Sequence, residues 1–426
     1  MENLTWEATD LVDRFTRLSW KSQRDKLTNM DDDRITTFAE TNFRNERKRF
    51  GIRKKDRRYH MYVVGKTGVG KSTLLLNMVK QDIENGEGLA LLDPHGDLVE
   101  KIVKVIPESR IKELIYFNPQ HKEQALYFNP LEVLNHSESH LVVSSLVSVF
   151  KKIWADSWGP RLEYILRNAL STLVEFSGAT LLDLQRILRD RDFRLKVIAR
   201  LKNEQLKNFW LNEFEKYSPY FQQEAVSPIQ NKIGQFLNNP ILKKIVSRPK
   251  SSFNLREIMD SGKILLVNLS KGKIGEDSAS LLGAMLIAKM GLSALSRQDT
   301  EEEKRKDFYL YVDEFQSFAT SSFADILSEA RKYHLNLILA NQYLSQIDEK
   351  VRDAIFGNVG TIISFKVGLE DAKFLAEEFY PVFSQEDLIN LPCYSIYLKL
   401  MIDGKTSKPF SGDSLKPNTE VPFKEK

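Results

Sequence analysis

The sequence predicts an α/β fold with a mainly parallel central sheet, into which an all-helical region is inserted. Three observations carry this: a phosphate-loop motif set between a strand-like and a helix-like run, short β-rich runs alternating with amphipathic stretches in both outer parts, and a middle without strand pattern. The motif is GKTGVGKS at 65–72, directly after the apolar MYVV at 61–64 and, past Thr73, before LLLNMVKQDIE.

In chain order, residues 1–59 read as a polar arm or linker that turns strongly basic in RNERKRFGIRKKDRR at 44–58, suited either to anionic partners or to plain solvation. The first part of the sheet domain covers 60–136, with strands in HMYVV, LALLD (89–93) and ELIYF (113–117), and helices over 71–85 and 97–106. Residues 137–245 form the helical insertion. In it Pro160 suits a helix start and Thr180 an N-cap. The second part, 246–403, resumes the alternation: ILLVNL at 264–269, a helix over 277–296, a solvated TEEEKRKD loop, then FYLYVD, NLILAN, TIISFK and YSIYLKLMI as strands. The tail 404–426, rich in Lys, Pro and Ser, reads as loosely ordered.

Length and composition allow this. The 426 residues, 42% hydrophobic and 28% charged, suit folding over most of the chain, and a net charge of +4 does not by itself mark a nucleic-acid binder. One cysteine, Cys393, leaves no internal disulfide or thiolate metal cluster. The apolar runs at 264–269 and 281–290 fall short of the roughly 20 residues that span a bilayer, and the acidic, polar start MENLTWEATD is no secretory signal. The expectation is therefore a cytoplasmic protein without a transmembrane helix.

The chemistry concentrates in a few places. In the phosphate loop, Gly65, Gly68 and Gly70 let the backbone turn its N–H groups around a β-phosphate. Lys66, Thr67 and Val69 fill the loop, Lys71 adds charge, and Ser72 and Thr73 open the helix. A nucleoside triphosphate is the expected ligand. Asp313, at the end of an apolar strand, is the expected second Mg²⁺ ligand with Ser72, and Glu314 beside it is placed to orient or deprotonate an attacking water. Gln342 follows another strand, where its amide suits sensing of the γ-phosphate; Arg331 is the candidate arginine finger. Asp93 and His95, in LLDPHGDL, are expected beside the phosphate loop, with Asp93 the stronger candidate to contact the nucleotide. Lys271 and Lys273 in SKGKIG at 270–275 suit a basic loop that tracks phosphates.

Taken together, GKTGVGKS, LLDPHGDL, LYVDEF and EARKYHLNLILANQ resemble the HerA/FtsK superfamily of hexameric DNA-pumping ATPases, and most of all the type IV coupling proteins of conjugative transfer. The likeness extends over about 48–400. It implies a RecA-like motor with an all-helical domain, ATP and Mg²⁺ as ligands, and a homo-hexameric ring that threads single- or double-stranded DNA. By the same likeness Lys71, Ser72, Asp313 and Glu314 take the nucleotide and hydrolysis roles, Arg331 the finger and Gln342 the sensor. Many coupling proteins begin with transmembrane helices, whereas this sequence begins with a polar segment. The expectation is then a membrane-bound secretion-channel or anchoring subunit that holds it at the inner face of the cell membrane, or a relative working on DNA elsewhere. Two other functions share these motifs: an ATPase that powers protein secretion or assembly, and a nucleotide-dependent scaffold without translocation.

Overall fold

The computed structural model describes residues 34–42, 46–121, 126–133 and 138–416. In chain order the strands are β1 (Ile35–Glu40), β2 (Arg49–Arg53), β3 (Met61–Val64), β4 (Gly88–Asp93), β5 (Leu114–Phe117), β6 (Ile264–Asn268) and β7 (Phe308–Val312). They continue with β8 (Leu335–Asn341), β9 (Thr361–Ser364), β10 (Ser395–Lys399), β11 (Met401–Ile402), β12 (Lys405–Thr406) and β13 (Phe410–Ser414). Eleven of them form one sheet in the order β2-β1-β13-β10-β9-β3-β8-β7-β4-β6-β5, and β11 and β12 pair separately.

From β9 to β5 every neighbouring pair is parallel. The central strands β3, β4, β6, β7 and β8 are buried at every residue, the consequence of helices covering both faces of a parallel sheet. The other half, β10, β13, β1 and β2, is antiparallel. This half departs from the expected organisation. Residues 46–58 are built into the fold and are not an arm or linker: β2 pairs with β1, the helical turn Lys54–Arg57 follows it, and Arg57 is buried, bidentate to Asp82 at 2.6 and 2.8 Å and donating to the Tyr311 hydroxyl at 2.6 Å. The tail is likewise not loose as far as Lys416, since β13 is inserted between β1 and β10. Residues 1–33 and 417–426 lie outside the described residues.

Between β5 and β6 the described residues are helical or irregular, with no strand. Pro160 does open the helix Pro160–Glu175. Thr180 caps nothing: its hydroxyl donates to Asp183 Oδ2 at 3.1 Å and the helix begins at Asp183. The long apolar helix Glu276–Leu295 crosses the core and packs on the helix Ser139–Ile153. With the turn to Asp299 it is long and apolar enough to cross a membrane, against expectation, but most of it is buried inside the fold. Its close packing depends on glycine: a Cβ at Gly283 would sit 2.3 Å from the Phe318 ring.

Candidate nucleotide site

The phosphate loop emerges where β3 ends, between the ends of β8 and β9. Gly65 N–H donates to Asn341 O at 3.2 Å and Lys66 N–H to Lys366 O at 2.8 Å, so the loop is fixed to both neighbours. Gly68 and Gly70 hold φ of 78° and 123°, where a side chain would be strained, and a Cβ on Gly65 would approach Phe365 to 2.6 Å. Val69 is buried as an apolar anchor, and its carbonyl accepts from Tyr394 N–H at 2.8 Å. The helix Lys71–Glu84 then starts with Ser72 exposed and Thr73 part-exposed, its free N–H groups facing the loop.

Lys71 Nζ donates to the carbonyls of Gly65 (2.6 Å) and Lys66 (3.1 Å). Burial pulls its pKa down, while Glu314 and then Asp313 oppose that shift. Ser72 Oγ lies 3.2 Å from Asp313 Oδ2, so the two expected metal ligands do converge. Burial, reinforced by the carboxylates of Asp93 and Glu314, pushes Asp313 up to about 6. A buried carboxylate next to a hydroxyl, its charge only partly offset by Lys71, fits Mg²⁺, a hard cation that takes oxygen ligands. Glu314 follows in a left-handed conformation, φ 48°, its N–H donating to Asp313 Oδ1 at 3.0 Å.

Gln342, just past β8, reaches the loop: Nε2 donates to Thr67 Oγ1, and to the Tyr343 hydroxyl at 3.2 Å. Arg331 does not. It sits in the turn before β8, at the opposite edge of the sheet, exposed, with its guanidinium 3.6 Å over the Tyr59 ring. A seven-residue strand separates the two edges by roughly 20 Å, so Arg331 is out of reach of its own loop.

Asp93 is placed differently from expectation. Strands β8 and β7 stand between β4 and β3, so Asp93 adjoins Asp313 and not the phosphate loop. Its carboxylate is occupied by three backbone N–H groups, of His95 (2.8 Å), Leu98 (2.8 Å) and Val99 (3.2 Å), which start the helix Asp97–Val103. Its effect is structural and electrostatic, and the His95 side chain is exposed. The expected basic loop at 270–275 is a helical turn, Lys271–Ile274, with Lys271 N–H bonded to Pro94 O at 2.7 Å. Tyr394 was not anticipated. Its ring closes on Gly70 from the turn just before β10, far along the chain, and nothing local in the sequence marks that contact.

Residues 49–379 match the family model described as the type IV secretion-system coupling protein DNA-binding domain. The chain is 23% identical over 378 residues to the type 4 coupling protein DotL of Legionella pneumophila, a match covering 74% of this chain and 48% of DotL. The chain thus spans about half the length of the curated relative it matches. The unbound bacterial conjugative coupling protein TrwB superposes with a TM-score of 0.62 at 17% identity, covering 86% of each chain. TrwB in complex with ADP and Mg²⁺ gives 0.60 at 17%, over 88% of this chain and 94% of that one. VirB4 of Thermoanaerobacter pseudethanolicus gives 0.58 at 13%, over 91% and 98%. At such identities the solved structures establish a shared fold, a P-loop α/β core of RecA-like type with an inserted helical domain. Matched by the family model across most of its length, the chain belongs to the type IV secretion-system coupling protein family.

Proposed function

We propose that this chain is the motor portion of a coupling ATPase for conjugation or type IV secretion, which hydrolyses ATP to move DNA. The observation that carries it is the convergence of Lys71, Ser72, Asp313, Glu314 and Gln342 at one edge of the parallel sheet, within a chain of the coupling-protein family. Residues 65–73 bind the phosphates through backbone N–H groups and Lys71; Ser72 and Asp313 hold Mg²⁺. A metal ion held by these residues would supply neutralisation of the phosphate charge. Glu314 orients and deprotonates the attacking water, and Gln342, bonded to Thr67, links the state of the phosphate loop to β8.

Arg331 stands about one strand length from this site, which is intelligible if a neighbouring subunit supplies it. We therefore place the chain in a homo-hexameric ring with DNA in its channel, working beside membrane-bound channel subunits at the cytoplasmic face. The helical domain is the region 137–245 and the motor is formed by the parts before and after it.

The test is ATP turnover with Mg²⁺, with and without DNA, on a sample whose oligomeric mass is measured at the same time. The proposal predicts a ring-sized mass and turnover stimulated by single- or double-stranded DNA, weakening with salt. Turnover by the ring that DNA leaves unchanged would favour an ATPase for protein secretion. Lys71→Ala should lose turnover and most nucleotide affinity. Normal turnover in that variant would overturn the site.

A further inference from the structure

The segment that follows Glu314 is tied to the helical region by side chains the nucleotide site does not use. Gln316 turns back and donates from Nε2 to Glu314 Oε2, while its own Oε1 is buried without a hydrogen-bond partner. The backbone carbonyl of Gln316, and that of Ala319, each accept from Lys152 Nζ at 2.6 Å. Lys152 is in the last turn of the helix Ser139–Ile153, the first helix of the inserted region. One turn earlier on that helix, Ser148 Oγ accepts from Ser322 N–H at 3.1 Å and bonds Ser321 Oγ at 3.0 Å.

These bonds have a consistent direction. The left-handed backbone at Glu314 is one a non-glycine residue keeps only where its surroundings fix it. A carboxylate held by one oxygen has its side-chain torsions set, which aims the other oxygen. The amide that does this hangs on a backbone whose carbonyls are held by an ammonium from another part of the chain. The ammonium is buried, and burial draws its pKa down to about 8 against the opposing charge of Asp348; the two carbonyls are its hydrogen-bond partners in place of lost water.

We propose that Gln316 is a positioning residue for Glu314, and that Lys152 makes the placement of that carboxylate depend on the helical region. This rests on Glu314 acting on the attacking water. A shift of the helix Ser139–Ile153, for instance under load in the ring, would then move Lys152 and slacken Gln316, slowing chemistry without changing the grip on nucleotide.

The experiment is steady-state turnover and nucleotide affinity on the full chain under ring-forming conditions, for Glu314→Gln, Gln316→Ala, Lys152→Met, Lys152→Arg and the Gln316→Ala/Lys152→Met double variant. The expected result is a kcat about tenfold lower in Gln316→Ala and Lys152→Met, the rate equivalent of one charge-assisted hydrogen bond, with nucleotide affinity within about twofold. Lys152→Arg, which keeps the charge and donors, should recover most of the rate. The double variant should be no slower than the slower single one, since both act through one link. Full-rate turnover in Gln316→Ala and Lys152→Met, with Glu314→Gln inactive, overturns the positioning proposal and leaves the site reading intact. Full turnover in Glu314→Gln removes both. Losses that multiply in the double variant break the link between Lys152 and Gln316. Should Lys152→Met fail to fold, Ser148→Ala, which cuts the neighbouring tie, replaces it with the same expected loss of kcat at unchanged affinity.

Discussion

Strand β7 carries a buried aspartate at each end, and the two are held in opposite electrostatic states. Before it, Asp307 is buried, yet Arg58 (2.8 and 2.9 Å) and Asn336 (3.0 Å) hold its pKa below the usual carboxylate value. After it, Asp313 is buried beside two other carboxylates and is pushed up to about 6. The first charge is satisfied by the protein, the second is only partly offset by Lys71. The same contrast runs along the two sheet edges. At the edge where β3, β7 and β8 begin, polar groups answer one another, as in the Arg58–Asp307–Asn336 set, and Arg57–Asp82–Tyr311 does so behind it. At the edge where they end, the exposed Ser72, Thr67 and Gly68 surround groups drawn toward their neutral forms. One edge is architecture, the other a receptor for a charged ligand.

Substitutions at the two aspartates should separate these roles. The largest effect is expected from Asp313→Asn on Mg²⁺-dependent turnover, a loss of about 10³-fold or roughly 4 kcal/mol in the barrier. An Asp313→Asn enzyme with near-normal turnover would mean that the metal is held elsewhere. Next, Asp307→Ala should cost about 3 kcal/mol of folding stability in urea, because it removes a buried carboxylate that both Arg58 and the buried Asn336 amide donate to, and should spare nucleotide affinity. A cost below about 0.5 kcal/mol would place that pair among ordinary surface contacts.

His60, just before β3 and bonded through Nδ1 to Leu337 N–H (3.2 Å), gives the architectural edge a pH dependence. Burial, assisted by Arg331, lowers its pKa from 6.5 to about 4. The unfolded chain therefore takes up a proton that the folded one refuses, and stability should fall as the pH drops from 6.5 toward 4, by about 2 to 3 kcal/mol, then level off. Urea unfolding of the protein and of His60→Gln across that range isolates the term: parallel stability curves would contradict it. The smallest effect concerns Asp313→Asn again. At pH 7 without Mg²⁺ it should raise folding stability by about 1 to 2 kcal/mol, since it removes a buried charge that Lys71 and the Glu314 N–H compensate only in part; a loss of similar size would mean that the carboxylate is satisfied after all.

Most of the receptor edge was legible in the sequence; Asp93 and Tyr394 on it, and the architectural edge, were not. Phosphate-loop glycines, the acid after FYLYV and the glutamine after NLILAN each sit within a few residues of the strand that places them, so local pattern reveals them. Where an inference needed strand order it failed. Asp93 follows a strand as Asp313 does, and only the position of β4 beyond β8 and β7 separates it from the loop. The basic run at 44–58 looks like a solvated arm because burial of Arg57 depends on Asp82 and Tyr311, far along the chain. Strands β1, β2 and β13 are short and polar, and their pairing joins Glu40 to Asp413 across nearly the whole sequence. A non-local contact such as the stacking of Arg331 on Tyr59 has no local signature either.

The exposed Arg331 on the Tyr59 ring gives a direct test of the claim that the receptor edge of one subunit is completed by the architectural edge of the next. Wild-type protein and Arg331→Ala are mixed in varying proportion at constant total concentration under ring-forming conditions, and ATP turnover is recorded. If Arg331 acts across the interface, turnover should fall more steeply than the fraction of wild-type subunits, because each variant subunit disables a neighbour's site. Turnover strictly proportional to the wild-type fraction would confine Arg331 to its own subunit and contradict the claim.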